Sequence, residues 1–141
     1  MNNKARVSII LCTYNESSRI EKAIKDLKIE IKKWDIISEI IIIDNKSTDG
    51  TSEIIKKFTN GNCYMIQNKS NIGKGGSIKK GIKSANYEYI MVYDPDLEYD
   101  PSDILRMYNY AIKFNYDFVI GSRRLKRKLS LSEIKNDKNK G

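Results

Sequence analysis

The chain has 141 residues, 40% hydrophobic and 31% charged, with 2 prolines, 2 cysteines and no histidine; that length suits one ordinary domain, and the composition excludes collagen-like and wholly disordered classes. No apolar run approaches the roughly 20 residues a bilayer demands, and the opening "MNNKARVSIILCTYNE" lacks a signal-peptide pattern, so a cytosolic chain is expected with Cys12 and Cys63 as reduced, buried small hydrophobes. Six of the eight net positive charges fall from Lys113 onward, leaving a nearly neutral body and no expected nucleic-acid partner.

The run "VSIILCTY" at residues 7–14 is β-branched and almost continuously apolar, which predicts a strand buried on both faces. Asn15 and Ser17 then offer N-cap oxygens, and Ile20, Ala23, Ile24, Leu27 and Ile31 recur at helical spacing. The unit repeats: strand 38–44 ("SEIIIID"), a short helix 51–58 opened by Asp49, Gly50 and Thr51, and strand 63–67. A helix is expected over 77–85, a fourth strand over 89–93, a helix from Pro101 to about Phe114, and a fifth strand over 118–121. Strands alternating with helices imply parallel pairing by right-handed crossovers, hence an open, mostly parallel α/β sheet with helices on both faces and a ligand edge at the strands' carboxyl ends.

Four polar loops fall at that edge. In "DPD", Asp94 and Asp96 flank Pro95, and like charges so close repel unless a cation lies between them. Carboxylate oxygens select hard ions such as Mg²⁺ or Mn²⁺, and Glu98 could add a third ligand. An exposed acidic turn with Asp caps is the other reading. "NIGKGG" at residues 71–76 matches neither a Walker A nor a Rossmann pattern and reads as a phosphate contact or a tight turn. Asp44, closing the second strand, could accept a base N–H or a ribose hydroxyl. Tyr14 beside Asn15 and Glu16 could flank a nucleobase or pack into the core. In "GSRR", Arg123 stands nearest a strand end, where a guanidinium fork suits phosphate; the basic residues from Arg124 to Lys128 read as a solvated face.

Taken in order, "CTYNE", "DNKSTD", "NIGKG", "DPDLEYDP" and "VIGSRR" resemble the motifs of glycosyltransferase family 2, with its GT-A (Rossmann-like) fold, and look most like the polyprenyl-phosphate (dolichol-phosphate-type) mannosyl- and glucosyltransferases. The resemblance covers residues 7–123. It implies an inverting, metal-dependent transfer of a hexose from a nucleoside-diphosphate sugar (GDP-mannose or UDP-glucose type) to an acceptor such as a polyprenyl phosphate. On the matching positions, Thr13, Tyr14, Asn15 and Glu16 would line the nucleoside pocket and Asp44 would bind the base. Lys74 and Gly75 would approach the diphosphate and Arg123 a phosphate. Asp94 and Asp96 would hold the metal and act in catalysis, with Glu98 beside them. Cys12 stands where the family has a turn-shaping proline, and Asn45 replaces the second aspartate of its D-D pair.

The expected organisation is a nucleotide-sugar-binding domain over residues 1–124 and a basic, disordered tail over 125–141, with the acceptor half of the fold beyond Gly141. Such a chain would work at the cytosolic membrane face, its basic end near anionic headgroups. A non-catalytic nucleotide-sugar-binding module, a glycosyltransferase of polysaccharide or protein glycosylation, and a nucleotidyltransferase are the competing readings. The donor base, the sugar and the oligomeric state are not specified by the residues.

Overall fold

The computed structural model describes residues 6–122. Its order is β1 (Arg6–Thr13), α1 (Ile20–Ile31), β2 (Ile37–Asp44), α2 (Thr51–Lys56), β3 (Cys63–Gln67), α3 (Gly73–Ser84), β4 (Tyr89–Tyr93) and α4 (Ser102–Phe114). All pairings are parallel and the sheet order is β3-β2-β1-β4. Two strands are added on one side of β1 and one on the other, so the direction of winding reverses between β1 and β4. In open parallel sheets that reversal opens a crevice beyond the carboxyl ends of the two strands, because their outgoing loops diverge there.

β1 and β2 are central and almost wholly buried, which is why they read as unbroken apolar runs rather than alternating ones. On one face Val7, Ile9, Leu11, Ile40 and Ile42 pack with Ile20, Ile24 and Leu27 of α1, Ile55 of α2, and Ile104 and Tyr108 of α4. On the other, Ile10, Ile41 and Ile43 form a smaller cluster beneath α3. Helices thus lie on both faces, three against one.

The chain departs from expectation at three places. α3 begins at Gly73 rather than Ser77, so the glycine loop is the helix's own first turn. Gly73 sits at φ 74°, a conformation that costs glycine little, and Gly76 and Gly81 let the helix close on its neighbours. Second, α1 opens at Arg19 without a side-chain cap. Asn15 is left-handed (φ 53°), and its side chain instead accepts a hydrogen bond from the Thr48 backbone (2.9 Å). Third, residues 118–121 form no strand: Phe118 and Ile120 are 79% and 74% exposed, and β4 has only β1 beside it among the described residues. An isolated apolar stretch gains no ladder hydrogen bonds, so β-propensity alone does not make it a strand.

No described helix is long and apolar enough to cross a membrane. The expected tail over 125–141 lies outside the described residues.

Candidate functional site

The ends of β1 and β2 are stitched together first. Asn15 N donates to Ser47 Oγ (3.0 Å), Glu16 N to Thr51 Oγ1 (2.9 Å) and Ser17 N to Asp49 Oδ2 (3.0 Å). Asp49 also accepts from the Thr51 hydroxyl and backbone, which supports the expected capping role. Those hydrogen bonds, the Thr51 hydroxyl foremost, hold the Asp49 carboxyl well below the usual carboxylate range.

Asp44 is fully buried. Its Oδ2 accepts a short bond from Ser52 Oγ and another from Gln67 Nε2 (3.1 Å), while Oδ1 faces Ser47 N (3.3 Å) and Thr13 Oγ1 (3.5 Å). Four donors converge on it, so it lies beneath the surface rather than open to a base. The next residue, Asn45, is also buried but reaches the hollow's lining. Its Oδ1 accepts from Ile72 N (2.9 Å) and Asn68 Nδ2 (3.0 Å), and its Nδ2 donates to Asn71 Oδ1 (2.6 Å). The β2 end is thereby tied to the loop entering α3.

Above these loops, at the β1/β4 reversal, lies a hollow of about 230 Å³ lined by Cys12, Thr13, Tyr14, Glu16, Asn45, Lys74, Ser77, Asp94, Pro95 and Asp96. Six of the expected site residues meet there: Thr13, Tyr14, Glu16, Lys74, Asp94 and Asp96. The ring of Tyr14 is 48% exposed, resolving its two readings in favour of a surface ring rather than a core one. Glu16 Oε2 is buried and ion-paired with Arg19 Nε at 3.0 Å. Asn15, Asp44 and Gly75 do not line the hollow. Glu98 lines a separate depression with Asp26, Glu30 and Tyr99, and its backbone N–H caps Asp96 Oδ1 (3.0 Å). Arg123 lies outside the described residues.

Cys12, Asn45, Ser77 and Pro95 line the hollow without having been singled out as site residues. Asn45 carried the clearest signal, a second polar side chain directly after a buried strand; Ser77 and Cys12 carried none beyond proximity. Burial pushes the Cys12 thiol up to about 11, and Lys74 and Asp94 act on it in opposite senses, so it is a neutral wall rather than a nucleophile.

Asp94 and Asp96 present hard oxygen donors in one hollow, and Asp94 already carries a cation, with Lys74 Nζ 2.7 Å from its carboxylate. No group of three or more His, Cys, Asp or Glu side chains able to hold an ion occurs among the described residues. The pair therefore fits Mg²⁺ or Mn²⁺ shared with water and a bound phosphate, not a cage built by protein alone.

The open parallel sheet with this divided edge is the architecture of the GT-A glycosyltransferases. A mannosyltransferase from Pyrobaculum calidifontis, solved with GDP-Man and Mn²⁺, superposes with a TM-score of 0.64 at 24% identity, over 85% of this chain and 35% of that one. Residues 8–138 match the family described as Glycosyl transferase family 2, and the chain belongs to it. It is 33% identical over 118 residues to a cholesterol galactosyltransferase of Borreliella burgdorferi (83% of this chain, 32% of that one). It is also 33% identical over 132 residues to a poly-beta-1,6-N-acetyl-D-glucosamine synthase of Staphylococcus aureus (89% and 30%). The chain spans between about a third and half of the length of the curated relatives it matches.

Proposed function

We propose that this chain carries the donor site of an inverting, metal-dependent glycosyltransferase that takes a hexose from a nucleoside-diphosphate sugar. The observation that carries the reading is the meeting of Asp94, Asp96 and Lys74 with Tyr14 and Glu16 in one hollow at the sheet's winding reversal.

Each group has a task suited to its chemistry. The exposed Tyr14 ring offers a face for a nucleobase, and the Glu16 carboxylate in the same hollow would accept from a ribose hydroxyl. Asp44 acts one layer down: by gathering Ser52, Gln67, Ser47 and Thr13 it fixes the loop on which the base rests, in place of the direct contact the resemblance implies. Lys74, and Arg123 if it reaches the same edge, meet diphosphate oxygens. Asp94 and Asp96 would hold Mg²⁺ or Mn²⁺, with Glu98, which lines the neighbouring depression, as the further carboxylate the resemblance places beside them. A bound ion supplies Lewis-acid neutralisation of the departing diphosphate.

The acceptor oxygen forms its bond to the anomeric carbon on the face opposite the departing diphosphate, while the bond from that carbon to the diphosphate oxygen breaks with its electron pair going to the nucleotide. Configuration inverts in one displacement. Among the three proteins compared, the names specify galactosyl, N-acetylglucosamine and mannosyl chemistry, so they favour no single sugar for this chain. The polyprenyl-phosphate acceptor rests on the likeness of "DPDLEYDP" to that subgroup. It is chemically apt, because an anionic phosphate needs no strong general base.

The test is release of UDP or GDP from their hexose conjugates by the chain, with and without Mn²⁺ and a short-chain polyprenyl phosphate. Metal-dependent release that needs the lipid phosphate supports the full reading. Binding of donor without any release, under conditions where a longer relative turns over, contradicts the catalytic part.

A further inference from the structure

The Lys74 ammonium straddles the Asp94 carboxylate, 2.7 Å from Oδ1 and 2.7 Å from Oδ2. This is a long-range pair, from the first turn of α3 to the end of β4 across the mouth of the hollow. Both oxygens of Asp94 are therefore in use. Asp96 lines the same hollow with its Oδ1 committed to the Glu98 backbone, so a divalent ion shared by the pair must also draw on the carboxylate that the lysine holds. An ammonium on both oxygens and a dication on either are mutually exclusive, since the two positive charges would share one ligand at near contact.

The lysine is also built to leave. Its side chain is 58% exposed against 27% for Asp94, and the four-carbon stem swings without disturbing packing. It is rooted one residue after the left-handed Gly73, at the positive end of the α3 dipole, where an anion is favoured.

Resting on the proposed donor site, we infer that Lys74 is a resident counter-ion of the metal position: it neutralises Asp94 in the empty site and is handed over to the incoming diphosphate when the divalent ion takes the carboxylate. The diphosphate gives the displaced ammonium a new partner, and the ion gives Asp94 one. Cation and nucleotide therefore bind cooperatively, each tightening the other by the same factor.

Manganese affinity, read from the paramagnetic resonance of free Mn²⁺ titrated into the whole chain, tests this. Three proteins are compared with and without saturating UDP or GDP: the native chain, Lys74→Met, and Lys79→Met as a control for loss of one charge on the same helix. Without nucleotide, Lys74→Met binds Mn²⁺ about fivefold more tightly than native, the factor a partly exposed ion pair of up to about 1 kcal/mol can exert. Lys79→Met stays close to native. With nucleotide, the extra tightening seen in the native chain shrinks by at least the same factor in Lys74→Met. If Lys74→Met binds the bare ion no better than Lys79→Met, or its coupling to nucleotide equals the native one, the handover is wrong while the donor site stands. If no protein binds Mn²⁺ with either nucleotide present, the donor-site reading falls and takes the handover with it.

Discussion

Gly81 of α3 lies so close to Ile10 of β1 that a methyl group on its Cα would come within 2.5 Å of Ile10 Cγ2. Both residues are buried, and Ile10 belongs to the small cluster that joins α3 to the sheet. This approach sets how near the first turn of α3, and hence Lys74, stands to the ends of β1 and β4.

Gly81→Ala should therefore overpack the contact and destabilise the chain by about 1–3 kcal/mol, despite alanine's better helix propensity. Chemical denaturation measures it. Gly75→Ala meets open space and should be neutral or slightly stabilising, so equal effects of the two substitutions would refute the close-packing account.

Asp44→Ala removes the acceptor shared by Ser52, Gln67, Ser47 and Thr13. Each buried donor left unpaired costs about 1–3 kcal/mol, so a marked fall in melting temperature should accompany weaker nucleotide binding. Weaker nucleotide binding with an unchanged melting temperature would instead show that Asp44 touches the base itself.

Acid sensitivity has two identifiable sources. Burial raises the Glu39 carboxyl, but hydrogen bonds from Ser8, Asn86 and Tyr64 outweigh it and leave it below its ordinary 4.5; Asp49 is depressed below its ordinary 3.8, chiefly by Thr51. Depressed carboxyls mean the native chain binds fewer protons than the unfolded one, so their stabilisation is present above those ordinary values and is lost as pH falls through the folded ones. The urea midpoint should hold from neutral pH to about pH 5 and then decline, and Glu39→Gln should flatten the decline while lowering the neutral-pH midpoint. An unchanged slope in that variant would exclude Glu39 as a source.

Much of the fold was readable because burial on both faces leaves a plain signature: β2, with its run of isoleucines, needed no context to be recognised. The start of α3 at Gly73 rather than Ser77 is not legible, because Gly73, Gly75 and Gly76 have poor helix propensity. The 118–121 segment shows the converse, good local propensity without a neighbour to pair. At the site, the meeting of Asp94, Asp96 and Lys74 in one hollow follows from acids after a strand end and a glycine-rich loop opening a helix at the same edge. That Asp44 is buried away from the hollow while Asn45 lines it is not legible, since consecutive residues leaving a strand point to opposite sides and sequence alone does not say which faces the hollow.

The most direct measurement is a thermal-shift titration of the native chain, Asp94→Asn and Asp96→Asn with UDP and GDP, each with and without Mn²⁺. The account predicts that one nucleotide stabilises the native chain in a Mn²⁺-dependent way, by roughly 2.7 kcal/mol at about 100-fold excess over Kd. It predicts that the manganese-dependent part vanishes in both variants while their unliganded melting temperatures stay close to native. Equal manganese-dependent stabilisation in the native chain and both variants would contradict it.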